Sequence, residues 1–264
     1  MTVSICSPRP VLVPCGLENF RYQVDPYVGC GHCCHYCYVL SLAETDWTRE
    51  ILMHADIVGQ LRAEIDGIPP QKLYLGYYTD PYQPCEADHR QTRKVLELLR
   101  EKGFSASILT KSDLVLRDID ILADMNDAGV SISVAFNANK ERGLFEAHTM
   151  DTEDRIAALR QIKEAGLGTG ALVCPVIPYI TDAFQLIDML QPLADSIWVY
   201  GLSITDPDGE NSRNTRRILN DHFPDLAARI EPVISEKDHP YWAELRERLE
   251  MVKEERGLNL NIRV

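Results

Sequence analysis

Four of the eight cysteines crowd into the stretch Cys30-Gly31-His32-Cys33-Cys34-His35-Tyr36-Cys37. Cys30, Cys34 and Cys37 carry the spacing C-x3-C-x2-C. Three thiolates on one tight loop can hold three irons of a four-iron cluster, a group that normally takes four protein ligands. The fourth iron is then open to a small molecule. Gly29 and Gly31 let the backbone fold around inorganic sulfides, because glycine tolerates positive φ. The same stretch also reads as two C-x2-C pairs, Cys30/Cys33 and Cys34/Cys37, the donor set of a four-cysteine zinc site. Those pairs abut without a spacer, which leaves little chain to wrap a tetrahedral ion from two sides. A set of inert reduced thiols is a third reading. Cys33 is surplus to the three-ligand arrangement, and either packs behind the loop or substitutes for a lost ligand. Crowding of this kind, rather than even spacing, favours metal or chemistry over a disulfide framework.

The elements that must position this loop alternate between β-rich runs and amphipathic helices. Candidate strands cover 21–26, 72–77, 105–110, 130–135, 169–173 and 196–200, so the cysteine loop follows the first of them. Between the strands, Ile57, Leu61 and Ile65 repeat on one helical face, and Val95, Leu98 and Leu99 mark a second helix with Gly103 as its C-cap. Ile119, Leu122 and Met125 mark a third helix closed by Gly129. A fourth carries Ile156, Leu159 and Ile162 between Asp151 and Gly166, and a fifth runs from Phe184 to Pro192. Alternation at this spacing predicts parallel strands with right-handed crossovers, closed into most of a barrel or lying as an open sheet. After Tyr200 the rhythm changes. Thr205-Asp206-Pro207-Asp208-Gly209 is a turn signal, and Trp242, Leu245, Leu249 and Val252 form a stripe that predicts core packing of a terminal helix.

Composition narrows the function classes. The chain has 264 residues, 45% of them hydrophobic, with a mean hydropathy of −0.19, which excludes a disordered or collagen-like protein. No run approaches about 18 consecutive apolar residues, so no membrane-spanning helix is expected. Residues 1–14 are interrupted by Pro8, Pro10 and Pro14, and a cytoplasmic location is expected. With 27 basic and 40 acidic residues, the net charge is −13 and the pI is near 5.0, against a broad nucleic-acid footprint.

The C-x3-C-x2-C motif after a first strand, with Tyr36 inside the final pair, resembles the radical S-adenosylmethionine (SAM) superfamily. The resemblance runs from about Tyr22 to Ile204 and is closest to the spore photoproduct lyase-like branch. It is carried further by Asp25-Pro26-Tyr27, Thr79-Asp80-Pro81-Tyr82-Gln83-Pro84, Thr110-Lys111-Ser112, Leu116-Arg117-Asp118, Arg155-Ile156 and Pro175-Val176-Ile177-Pro178. It implies an α/β fold: a partial (β/α)6 TIM-like barrel of parallel strands over about 20–204, with 205–264 as a C-terminal helical extension, all in one domain. It also implies a 4Fe-4S cluster on Cys30, Cys34 and Cys37, with S-adenosylmethionine cleaved reductively to a 5′-deoxyadenosyl radical that abstracts hydrogen from a substrate. A reducing donor such as flavodoxin or ferredoxin is the implied partner.

By the same resemblance, Tyr36, Tyr38, Val176 and Ile177 border adenine, and Gly76 offers its backbone to the methionine amino group. Lys111 and Arg155 are candidates for the methionine carboxylate, and Ser131, Ser133 and Asn137 for the ribose. The chain departs from the branch at one place: a hydrogen-returning cysteine at the end of the second strand is replaced by Tyr78, with Cys85 and Cys174 as substitutes. That departure, and the acidic pI, favour a small molecule or peptide over a nucleic-acid lesion. Arg213, Arg216 and Arg217 share one helical face that reads as phosphate-binding or, more simply, as solvated. The competing classes are a non-catalytic zinc or iron–sulfur protein, and a nucleic-acid binding module that retains only the barrel.

Overall fold

The computed structural model describes residues 1–204, 206–236 and 238–264. The strands are β1 (Thr2–Ile5), β2 (Leu12–Pro14), β3 (Tyr22–Val24), β4 (Tyr27–Val28), β5 (Glu50–Met53), β6 (Lys72–Leu75), β7 (Ser105–Thr110), β8 (Gly129–Ser133), β9 (Gly168–Val176), β10 (Ser196–Gly201) and β11 (Leu260–Arg263). The helices are α1 (Ile57–Glu64), α2 (Glu86–His89), α3 (Gln91–Glu101), α4 (Ile119–Ala123), α5 (Asn139–Phe145), α6 (Thr152–Glu164), α7 (Ala183–Leu190), α8 (Glu210–His222), α9 (Pro224–Ser235) and α10 (Pro240–Arg256). Two compact units emerge: residues 1–32, 43–132 and 157–169, and residues 33–42, 133–156 and 170–264.

Eight strands make up the principal sheet, and it is mostly parallel. In the first unit β3, β6, β7 and β8 run parallel in that order, and β2 adds antiparallel to the outer edge of β3. Their cores follow the strand period: Leu73 and Leu75 of β6, Ala106 and Ile108 of β7, and Val130 and Ile132 of β8 are buried. Asp56 caps α1 by accepting the Gly59 N–H at 2.9 Å, and Ile57 and Leu61 turn inward. A separate three-stranded sheet, β1-β5-β4, holds β4 antiparallel to β5 just before the cysteine loop. Nothing in the periodicity announced these short strands.

In the second unit β9, β10 and β11 are parallel neighbours. The 205–264 segment is therefore not purely helical, because Leu260 pairs beside Ile197 and buries itself there. The terminal helix α10 buries Trp242, Leu245 and Leu249 as expected, with the Trp242 indole donating to the Val233 carbonyl at 2.9 Å. Val252 is only half-buried. The turn before α8 holds for Asp206–Gly209, where the Asp206 carboxylate accepts the Asp208 N–H; Thr205 lies outside the described residues.

Several predicted elements are shorter than their sequence pattern, β3, β6, β8 and α4 among them. β6 stops at Leu75 because Gly76 takes φ +102°, which turns the chain out of the ladder. α4 ends at Ala123, before Met125: the Asp124 and Met125 N–H groups bond three residues back, tightening the last turn, and Asp127 follows at φ +58°.

Candidate active site

The cysteine loop is held in two ways, one in each unit. In the first unit Gly29 has φ +91°, and a Cβ there would lie 3.0 Å from the Trp47 ring and 3.1 Å from Ile51, so only glycine fits. The fully buried Gln83 side chain donates from Nε2 to the Gly29 carbonyl at 2.9 Å and accepts the Gly31 N–H at 2.7 Å. Buried His32 places Nε2 3.2 Å from Asp80 Oδ2. The Asp80 carboxylate also accepts the Thr110 hydroxyl at 2.6 Å, the Lys111 N–H at 2.7 Å and the Tyr82 N–H at 2.8 Å. Burial by itself would raise this carboxyl; the His32 charge and these donors outweigh it and hold it at about 2. Asp25 accepts the N–H groups of Tyr78 and Thr79 at 2.9 and 3.0 Å.

In the second unit the loop lies on an apolar cluster that includes Cys34, Tyr36, Phe136, Phe145, Ile177 and Ile218. The Cys37 N–H donates to the Cys34 carbonyl at 3.1 Å, and His35 donates its N–H to Phe145 at 2.9 Å. The buried Tyr36 hydroxyl donates to the Glu146 carboxylate, and Arg155 meets that carboxylate at 2.6 Å. Arg155 also donates to the Ser133 carbonyl at 2.9 Å and to Thr149. Burial, then the Glu146 charge, pushes the Tyr36 phenol well above its ordinary value, so it stays protonated and donating.

The predicted residues divide accordingly. Gly76 ends β6, and a Cβ there would strike the Leu109 carbonyl oxygen at 2.4 Å. Lys111 is half-buried with its N–H on Asp80. Ser131 is half-buried on β8 opposite Leu109, and Ser133 is buried, its hydroxyl 3.5 Å from the Cys174 carbonyl. Asn137 spends its amide on the Asp182 backbone, donating at 3.0 Å and accepting at 2.9 Å. Val176 and Ile177 are buried core residues, while Tyr38 and Tyr78 are exposed. Arg155 is not an open cation: it is 1% exposed and committed to Glu146. Cys85 is half-buried beside Glu86, and burial followed by that charge pushes its thiol up to about 12. Arg216 is tied to Glu231 at 2.8 Å, while Arg213 and Arg217 on the same face are exposed.

Sequence reasoning passed over Gln83, Asp80, Asp25 and Glu146 as individual actors. The first three stand in quoted family segments, which was the available signal. Glu146 had none, being 110 residues from Tyr36.

All eight cysteines are outside disulfides. Among the described residues, no group of three or more His, Cys, Asp or Glu side chains lies in metal-holding geometry. What fits an iron–sulfur group is the donor chemistry: three thiols at C-x3-C-x2-C, none of them in a disulfide. The Radical SAM superfamily profile matches residues 24–220, about three-quarters of the chain and the whole of this loop. The chain belongs to the radical SAM superfamily.

An uncharacterized protein of Methanocaldococcus jannaschii is 27% identical over 229 residues, covering 84% of each chain. In fold, this radical SAM protein is similar to a spore photoproduct lyase variant, with a TM-score of 0.67 at 16% identity over 98% of this chain and 80% of that one. It is also similar to Streptococcus suis SuiB bound to the precursor peptide SuiA, with a TM-score of 0.58 at 13% identity over 92% of this chain and 49% of SuiB. These likenesses agree with the partial TIM-like α/β architecture. The protein is an enzyme of the radical SAM class, whose cofactors are an iron–sulfur cluster and S-adenosylmethionine and whose turnover needs a reductant. No helix among the described residues is long and apolar enough to cross a membrane.

Proposed function

We propose that Cys30, Cys34 and Cys37 ligate a 4Fe-4S cluster, and that the enzyme removes hydrogen from a small molecule or peptide. The observation that carries this reading is the superfamily match over a loop of three thiols outside disulfides. When bound, the cluster supplies the electron that cleaves S-adenosylmethionine to methionine and a 5′-deoxyadenosyl radical. The residues of the chain supply position and shielding. Asp80 holds the Thr110 hydroxyl and the Lys111 backbone N–H, and the Lys111 ammonium would meet a carboxylate. Gly76 presents bare backbone at the neighbouring strand end. Glu146 and Arg155 hold the Tyr36 ring against the apolar cluster, where it would border adenine, with exposed Tyr38 two residues on.

Ser131 and Ser133 would face the ribose, and Val176 and Ile177 would pack near the base, whereas the Asn137 amide is already spent on backbone. Tyr78, which is exposed, would be the hydrogen donor through its phenol, with Cys85, kept protonated, and Cys174 as the alternatives. Tyr78 in place of a cysteine argues against spore photoproduct repair. The reading includes a flavodoxin- or ferredoxin-type donor, a cytoplasmic setting and a single radical SAM domain over 1–264. Anaerobic reconstitution followed by assay of 5′-deoxyadenosine under dithionite is the test. Product formation is expected; metal without cleavage would favour a zinc or structural iron–sulfur protein. Deuterium transfer from candidate peptides and metabolites into 5′-deoxyadenosine would then locate the C–H bond attacked.

A further inference from the structure

Gln83 is fully buried, yet its amide bonds neither to another side chain nor to its own turn. Both of its hydrogen bonds go to the backbone on either side of Cys30. The Gly29 carbonyl belongs to the peptide group preceding the Cys30 Cα, and the Gly31 N–H belongs to the peptide group following it. Each peptide group is a rigid plane, and a residue's conformation is the rotation of those two planes about its Cα. One amide holding both planes therefore fixes φ and ψ of Cys30, and with them the direction of its Cα–Cβ bond.

Side-chain chemistry makes glutamine particular here. The site needs one donor and one acceptor on a short rigid fork, which a neutral amide has, whereas a carboxylate has acceptors alone and leucine has neither. Gln83 is itself anchored: its N–H bonds to the Asp80 carbonyl at 3.3 Å, and its carbonyl accepts the Glu86 N–H at 2.9 Å. Glu86 is in turn buried against Arg117 at 2.6 Å and the Tyr27 hydroxyl at 2.6 Å. The fork thus rests on a charged, buried base rather than on a mobile turn.

We infer that Gln83 is a positioning residue for Cys30, presetting the direction of its Cα–Cβ bond before any metal arrives. This rests on the reading of Cys30 as an iron ligand, and the test separates the two. In reduced, metal-free protein, the alkylation rates of Cys30, Cys34 and Cys37 by iodoacetamide are resolved by peptide mass spectrometry for wild type, Gln83→Leu, Gln83→Glu and Thr92→Val. Thr92 bonds to Pro81 in the same segment without touching the loop. Iron and sulfide per chain, and the electron paramagnetic resonance of the reduced cluster, are then measured after reconstitution.

Losing two buried hydrogen bonds should raise the Cys30 rate roughly tenfold in Gln83→Leu. Cys34 and Cys37 should stay within about twofold, since no bond to their own backbone is lost. Iron content should fall or its resonance shift in parallel. Gln83→Glu should lie between, and Thr92→Val should leave Cys30 at the wild-type rate. A common rise of all three cysteines, or an equal rise in Thr92→Val, would mean general loosening and overturn the inference. If Gln83→Leu does not fold, a wild-type Cys30 rate in Gln83→Glu overturns it just as well. Wild-type protein that takes up no iron would sink the ligand reading, while the alkylation rates still decide the role of Gln83.

Discussion

The stretch before Cys33 and the stretch after it are stabilised by opposite means. Around Cys30 the backbone is pinned by polar side chains: Gln83 on Gly29 and Gly31, and Asp80 against His32. Around Cys34 and Cys37 the chain lies on Phe136, Phe145, Ile177 and Ile218, with one buried polar chain, Tyr36–Glu146–Arg155, running through it. Hydrogen bonds to backbone set angles, because they act on individual peptide planes. Apolar packing sets depth, because it is non-directional and scales with area. The cysteine segment uses backbone hydrogen bonds on one side and apolar packing on the other.

The largest effect should be shared by both stretches. Cys30→Ser and Cys34→Ser should each abolish 5′-deoxyadenosine formation after reconstitution; retention by either would remove that cysteine from the ligand set. Next comes Arg155→Met, which takes the cation away from the buried Glu146 carboxylate and should cost about 3–5 kcal/mol in denaturant unfolding. The double variant Arg155→Met/Glu146→Gln should recover much of that loss. If it recovers nothing, the ion pair is not what holds the Tyr36 side together.

Acid should strike the other stretch. Asp80 sits at about 2 in the folded chain against an ordinary 3.8, so its contribution is present above pH 3.8 and fades as pH falls toward 2. The difference corresponds to about 2 kcal/mol, and Asp80→Asn should flatten the stability–pH curve across that window. A curve unchanged by Asp80→Asn would break the contrast between a polar and an apolar anchor. The smallest effect belongs to Arg216→Ala: its partly exposed pair with Glu231 should be worth less than about 1 kcal/mol by thermal unfolding.

Much of the frame was legible along the chain. Candidate strand 105–110 coincides with β7, and the α1 and α3 faces bury the apolar residues their spacing indicated, while α7 buries Ile187 and Leu190 but leaves Phe184 half-buried. Boundaries failed where one residue overruled the pattern, as Gly76 did for β6, and where the pattern was too short to register, as in β4 and β11. Within the candidate site the cysteine motif stood out because its three thiols are neighbours in sequence. Arg155 was read as a cation open to a ligand, since nothing near it in sequence predicts the buried carboxylate that meets it.

Local order alone determined the thiol spacing, the glycine beside it and the alternation of strand and helix, since each depends on residues within a few positions. Only folding decided that Gln83 would grip both peptide planes of Cys30 from 52 and 54 residues away, and that Glu146 would take the Tyr36 hydroxyl from 110. Such partners are selected by the geometry of packed strands, where one amide or carboxylate in the right place satisfies groups that would otherwise be buried unpaired.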